Sequence, residues 1–225
     1  MNFVKRVFVL LGKDVLLELR TKEMFSAMLV FSLLVILIFN FSFEPGSEHM
    51  KAVAPGILWV AFVFAGVLGL HRSFTLEKEK DCLQGLMLCP IDRSAIYLGK
   101  ILGNMTVMMV VEAATLLLFL MLFNLPILRL LPKLVVVVFL GTLGFASVGT
   151  LFSAMSVNTR AREVMLPVLL FSVIIPVVII ATKLTGYILA DKGWSTLFYG
   201  LRMLLAFDFI FFTLSILTFE YIIEE

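Results

Sequence analysis

Met24-FSAMLVFSLLVILIFNFS-Phe43 carries no charge and is bracketed by Glu23 and Glu44. About 20 apolar residues at 1.5 Å each cross the roughly 30 Å of bilayer hydrocarbon, so this run predicts a transmembrane helix. Five more stretches qualify: 53–70, 101–123, 134–155, 164–182 and 203–223. Of the 225 residues 61% are hydrophobic and only 15% are charged. A soluble domain is about a quarter charged and has no way to hide this much apolar surface. A soluble enzyme, a nucleic-acid binder and a disordered chain are therefore excluded. The sequence predicts an all-α integral membrane protein, one permease-like domain over 1–225 with no soluble domain between its spans.

The first 23 residues form a separate element. Val4, Val7, Phe8, Leu11, Val15 and Leu19 recur at helical spacing, with Lys5, Lys13 and Arg20 on other faces. That pattern predicts an amphipathic helix over 1–23 lying in the headgroup layer. The apolar run Val7–Leu11 is too short for the core of a cleavable signal. Placing the N-terminus inside puts twelve Lys and Arg in the inner segments and six in the outer loops 44–52, 124–133 and 183–202. The positive-inside rule then favours cytoplasmic N- and C-termini. Trp59, Trp194, Tyr187 and Tyr199 suit the interfacial aromatic belt.

The loop His71-RSFTLEKEKDCLQGLMLCPIDRSAIYLG-Lys100 joins spans two and three. Helical bundles usually connect through about 2–8 residues, so a loop this long reads as functional. Glu77, Glu79 and Asp81 are expected to open a short helix, with acids near its positive end. Leu83, Leu86 and Met87 then form an apolar patch at i, i+3 and i+4, and Pro90 stops it. Asp92 is expected to cap a new helix entering span three. Such a surface suits a cytoplasmic partner able to move two spans at once. Cys82 and Cys89 read as small apolar side chains rather than a redox or metal pair.

Polar and small residues inside the spans mark further candidates. Glu112 falls mid-span, where a carboxylate costs about 2.5–3.5 kcal/mol to insert. It is either a relay or substrate-path residue, or a neutral acid bonded to a neighbouring Ser or Thr. Asp208 is expected a turn inside the outer end of span six, paired with Arg202 or Lys183. Ala61, Ala65 and Gly69, then Thr142, Ala146, Thr150 and Ala154, recur every fourth residue, and Gly99 and Gly103 form a G-x-x-x-G. These rows suit close helix packing or a dimer seam. Pro167 and Pro176 predict a kink or hinge in span five. Gly186, Gly193 and Gly200 break the segment 183–202, which is expected to form short helices dipping into the outer leaflet. No phosphate-binding loop, H-E-x-x-H or nucleophile elbow occurs, so any ATP is hydrolysed by another subunit. No His or Cys set has metal-ligand spacing, and the lone outer His49 is a poor haem ligand.

Gly66-VLGLHRSFTLEKEKDCLQGLMLCPIDRSAIYLGKILG-Asn104 and Gly149-TLFSAMSVNTRAREVMLPVLLFSVII-Pro176 resemble the haem exporter protein B family. That family comprises ABC-exporter-type permease subunits of the system that matures c-type cytochromes, and the span layout agrees over essentially the whole chain. The resemblance implies a bacterial inner-membrane subunit without catalysis of its own. It implies two copies of this chain with a cytoplasmic ATP-binding subunit seated on Glu77–Pro90. A haem-handling membrane subunit, a small membrane subunit and a periplasmic haem chaperone complete the set of partners. ATP and haem would be bound through those partners rather than by this chain. ATP hydrolysis would then release the haem-loaded chaperone. Two alternatives remain: a similar permease exporting a lipid, glycan or drug, and a partner-independent transporter using Glu112.

Overall fold

The computed structural model describes residues 3–43, 48–79, 92–123, 127–156 and 162–224, and these form helices with no strand among them. In chain order they are α1 (Phe3–Thr21), α2 (Glu23–Ser42), α3 (Glu48–Glu79), α4 (Arg93–Leu122), α5 (Ile127–Ser156), α6 (Arg162–Leu189) and α7 (Trp194–Glu224). Six of them, α2 to α7, are long and apolar enough to cross a bilayer. The protein is an all-α membrane protein with an additional N-terminal amphipathic helix.

The most buried spans are α3 and α5, with α2, α4, α6 and α7 around them. Glycine explains how the two central helices approach each other. A Cβ on Gly66 would collide with the Phe145 ring, one on Gly141 with Trp59, and one on Gly149 with Leu70. Hydrocarbon supplies no hydrophobic drive between membrane helices, so such close backbone approach and its dispersion contacts hold them together. Leu58, Leu134, Leu170 and Ile174 fill the resulting core. A smaller cluster of Leu10, Ile96, Tyr97, Ile101, Ala154 and Phe219 closes the end of the bundle that carries α1, the N-terminal face.

Several expectations need correction. Helices α4, α5, α6 and α7 run well past the apolar runs and carry Lys100, Lys133, Lys183 and Arg202 within them. Apolarity limits the membrane-crossing part, whereas helix ends are set by caps and turns. The segment 183–202 is accordingly not a set of dipping short helices. It is the end of α6, a turn at Ala190–Gly193, and the start of α7. Asp191 adopts φ 55°, and the Lys192 N–H returns to the Tyr187 carbonyl at 2.9 Å. Arg129 pairs with Asp191 at 2.6 Å and Lys133 donates to the Lys192 carbonyl at 2.8 Å, tying this turn to α5. Gly200 lies within α7, where a Cβ would sit 2.7 Å from Leu184 of α6.

Likewise, Glu77 and Glu79 end α3 instead of opening a new helix. Nothing between Leu70 and Glu79 is a helix breaker, so the span simply continues. Asp81, Cys82, Leu83, Leu86, Met87, Cys89 and Pro90 lie outside the described residues. Pro167 and Pro176 both sit within α6, which is uninterrupted from Arg162 to Leu189.

Glycine at the α3–α5 contact and glycine on a free surface should respond oppositely to substitution. Gly149→Val is expected to lower stability in detergent by about 1–3 kcal/mol through overpacking. Gly12, within α1 with nothing near its Cβ position, should gain up to about 1 kcal/mol as Gly12→Ala. Thermal unfolding of the purified chain measures both shifts.

Candidate functional site at the N-terminal face

The loop expected to meet a partner is held at one end by α3 and at the other by α4, and α4 is held in turn by α1. Arg6 lies 3.1 Å from Asp92, Leu10 packs on Gly99, and Asp14 meets both Gly103 and Lys100. Taken in order, these contacts run α1 parallel to the first three turns of α4. A Cβ on Gly99 would come within 2.7 Å of Leu10 Cβ, and one on Gly103 within 3.2 Å of Asp14 Cβ. The G-x-x-x-G thus seats the N-terminal helix.

Between the two glycines, the buried Lys100 reaches Asp14 at 3.0 Å, and Lys13 lies 3.1 Å from the other Asp14 oxygen. An ion pair in such a place is costly to break from one side, because the remaining charge stays buried. Asp92 occupies the N-cap position of α4, yet its carboxylate makes no cap bond and pairs with Arg6. The leader helix therefore packs on the bundle through one side and leaves another exposed. Val7 and Leu10 are buried against α4, while Val4, Phe8 and Leu19 remain exposed. The periodicity of α1 shows one apolar stripe, but the Gly99 seat creates a second contact face that periodicity alone does not reveal.

The junction to α2 is equally specific. Lys22 takes the left-handed conformation, φ 56°, and offers no side-chain cap. Glu18 of α1 accepts the Phe25 backbone N–H at 2.7 Å and supplies the missing cap. Glu23 pairs with Arg72, joining the same end of α2 to α3. A Cβ on Gly69 would lie 2.9 Å from Met24 Cε, so this glycine faces α2. Its companions Ala61 and Ala65 are buried in the main core.

Deeper in the bundle, α4 carries polar side chains to two neighbours, α5 and α2. Tyr97 donates to the Ser147 carbonyl at 2.8 Å and Asn104 to Thr150 at 3.1 Å. Thr142 donates to Glu112 at 2.6 Å, and Thr115 shares a 2.8 Å bond with Ser32 of α2. Thr142, Ala146, Thr150 and Ala154 are all buried, and the two threonines of this row bond α4. Glu112 is buried and accepts this bond from a neighbouring Thr.

Asp208 departs from expectation. Because α7 begins at Trp194, Asp208 lies 14 residues, about 21 Å, along it. Neither Arg202 nor Lys183 pairs with it; the Arg202 guanidinium stacks 4.2 Å from the Phe198 ring centre. Both Asp208 carboxyl oxygens are buried without a hydrogen-bond partner among the described residues. One oxygen presses on Gly144, where any Cβ would collide. Sequence reasoning missed Gly144, Tyr97 and Asn104; the last two stand among apolar residues and gave a readable signal. His49 is exposed near the start of α3, and no metal-binding group of His, Cys, Asp and Glu occurs among the described residues.

Lys100→Met leaves Asp14 without its buried counter-charge and should release α1 from α4, at about 3–5 kcal/mol. In a background with Cys82 and Cys89 changed to Ala, a Val7→Cys reporter should then label faster with a maleimide. The double change Asp14→Leu with Lys100→Met should restore slow labelling.

The chain is similar in sequence to known proteins of one family. The family model described as CcmB protein matches residues 5–223. "Heme exporter protein B" of Rhodobacter capsulatus is 32% identical over 78% of this chain and 80% of its own length. Its namesake in Pseudomonas aeruginosa is 26% identical over 77% and 78%. That of Escherichia coli K12 is 35% identical over 39% of this chain and 42% of its own length. A six-span helical bundle matched by one family model over nearly its whole length belongs to the CcmB protein family.

Proposed function

We propose that this chain is the permease subunit of an ABC-type complex for cytochrome c biogenesis, working with a cytoplasmic ATP-binding subunit. Family membership supports the assignment, and the observation that carries it is the mounting of the loop after Glu79. The loop follows α3, which ends at Glu79, and precedes α4, whose head is held by Asp92–Arg6 and Lys100–Asp14. A partner gripping the loop would thereby act on two spans, α3 and α4, at once.

On this reading Glu77, Glu79, Asp81, Leu83, Leu86, Met87 and Pro90 form the surface that the ATP-binding subunit grips. The chain hydrolyses nothing itself and binds no cofactor of its own; ATP and haem are handled by partner subunits. It works as two copies together with a haem-handling membrane subunit and a small membrane subunit. It sits in the bacterial inner membrane with both termini cytoplasmic. The cycle ends in release of the haem-loaded periplasmic chaperone. Pro167 and Pro176 supply the compliance α6 needs in that cycle, since each removes one helix hydrogen bond.

Leu86→Asp places a charge in the apolar patch and is expected to abolish copurification of the ATP-binding subunit while membrane insertion is unchanged. Haem-stained gels of a deletion strain should lose c-type cytochromes and regain them with the wild-type chain but not with Leu86→Asp. Intact cytochromes in the deletion strain would instead support a permease for a lipid, glycan or drug. Glu112→Gln keeps an acceptor for Thr142, so cytochrome yield should stay near wild type; its loss would favour a transporter that uses the carboxylate.

A further inference from the structure

Between α3 and α6 the surface of the bundle carries a recess. Its volume is about 240 Å³ and its walls are wholly apolar. Trp59, Val60 and Phe64 line it from α3, and Phe171, Ile175 and Ile179 from α6. Val60, Phe64, Ile175 and Ile179 are each 42–52% exposed, so the recess opens sideways, toward the surface a bilayer would cover. The Phe64 and Phe171 rings lie at one end, 5.5 Å apart between centres. From Phe171 to Ile179 it runs about 12 Å along the helices.

At the end nearer the Ala190–Gly193 turn, Trp59 donates to Thr185 of α6 at 2.9 Å and Pro55 lies beside Gly186, while the exposed face of α6 continues past the recess. Ile175, Ile179 and Lys183 follow at intervals of four, all exposed, so one helix face carries apolar groove and then cation. Tyr187 is exposed one further turn along. Exposed Lys and Tyr at a span end belong in the headgroup layer. An apolar recess of this size stays dry, and in a membrane hydrocarbon is the phase that fills it. A slender apolar chain whose anionic end meets Lys183 satisfies both halves of the surface.

We propose that this groove binds one acyl chain of an anionic phospholipid from the leaflet next to the Ala190–Gly193 turn, with its headgroup on Lys183. The apolar walls take the chain without any polar requirement, and Lys183 selects the headgroup. The site is separate from the N-terminal face and does not depend on the function proposed above.

Trp59 makes the site observable, because the chain has two tryptophans and Trp194→Phe leaves Trp59 alone. The full-length Trp194→Phe chain is reconstituted in phosphatidylcholine vesicles containing phosphatidylglycerol, with bromine on the acyl chains of one lipid or the other. Brominated phosphatidylglycerol is expected to quench Trp59 with about fivefold preference over brominated phosphatidylcholine. Lys183→Gln should abolish the preference while leaving quenching by both lipids, and Ile175→Phe or Ile179→Phe should weaken quenching by filling the groove. Equal quenching by the two lipids, unaltered by Lys183→Gln, would mean nonselective lipid contact and would overturn the proposal. So would absent quenching together with disulfide-linked dimers of Val60→Cys, made with Cys82 and Cys89 changed to Ala, because a second copy would then cover the groove.

Discussion

Hydrocarbon offers no water to a buried polar group, and that constraint decides how α4 holds its neighbours. Tyr97, Asn104, Glu112 and Thr115 each find a partner on α5 or α2. Such a bond between membrane helices is worth only about 0.6 kcal/mol on average. Its greater effect is on specificity, because any rotation or slip of α4 would strand a polar side chain in a medium where nothing replaces the lost partner. Four bonds spread from Tyr97 to Thr115 therefore fix the register of α4 against the bundle along most of its length.

That fixed register gives the N-terminal face its stiffness. Gly99 and Gly103 admit α1, Lys100 neutralises Asp14 between them, and Glu18 of α1 caps α2. The leader helix, the first span and the head of α4 are consequently tied to one another. Asp208 is the opposite case: its two oxygens face Gly144 and find no bond among the described residues. The α5–α7 contact is thus less constrained by polar pairing than the α4–α5 contact.

The number of spans was legible because transfer to hydrocarbon is a per-residue property, summed along about 20 consecutive positions. The four-residue rows were legible for a similar reason: Thr142 to Ala154 share a helix face whatever that face meets. The helix bounds were not. Lys100 looks like a span boundary until Asp14 is placed beside it, and Arg202 until α7 is seen to start eight residues earlier. The same misplaced boundary set Asp208 near the surface when it lies deep in the bundle.

Read along the chain, the residues establish that it inhabits a bilayer, has six stretches able to cross it, carries an amphipathic leader and resembles the haem exporter protein B family. Each of these follows from composition, local periodicity or motif, all read along one dimension. Only the tertiary structure decided which surfaces meet: that Gly99 and Gly103 receive α1, that Glu112 bonds Thr142, that Asp208 has no partner among the described residues, and that α3 and α6 leave an apolar groove below Lys183. A row of small residues states that something comes close but is silent on what. That choice is made among helices far apart in sequence, by the close packing and polar pairing that one arrangement of the bundle satisfies.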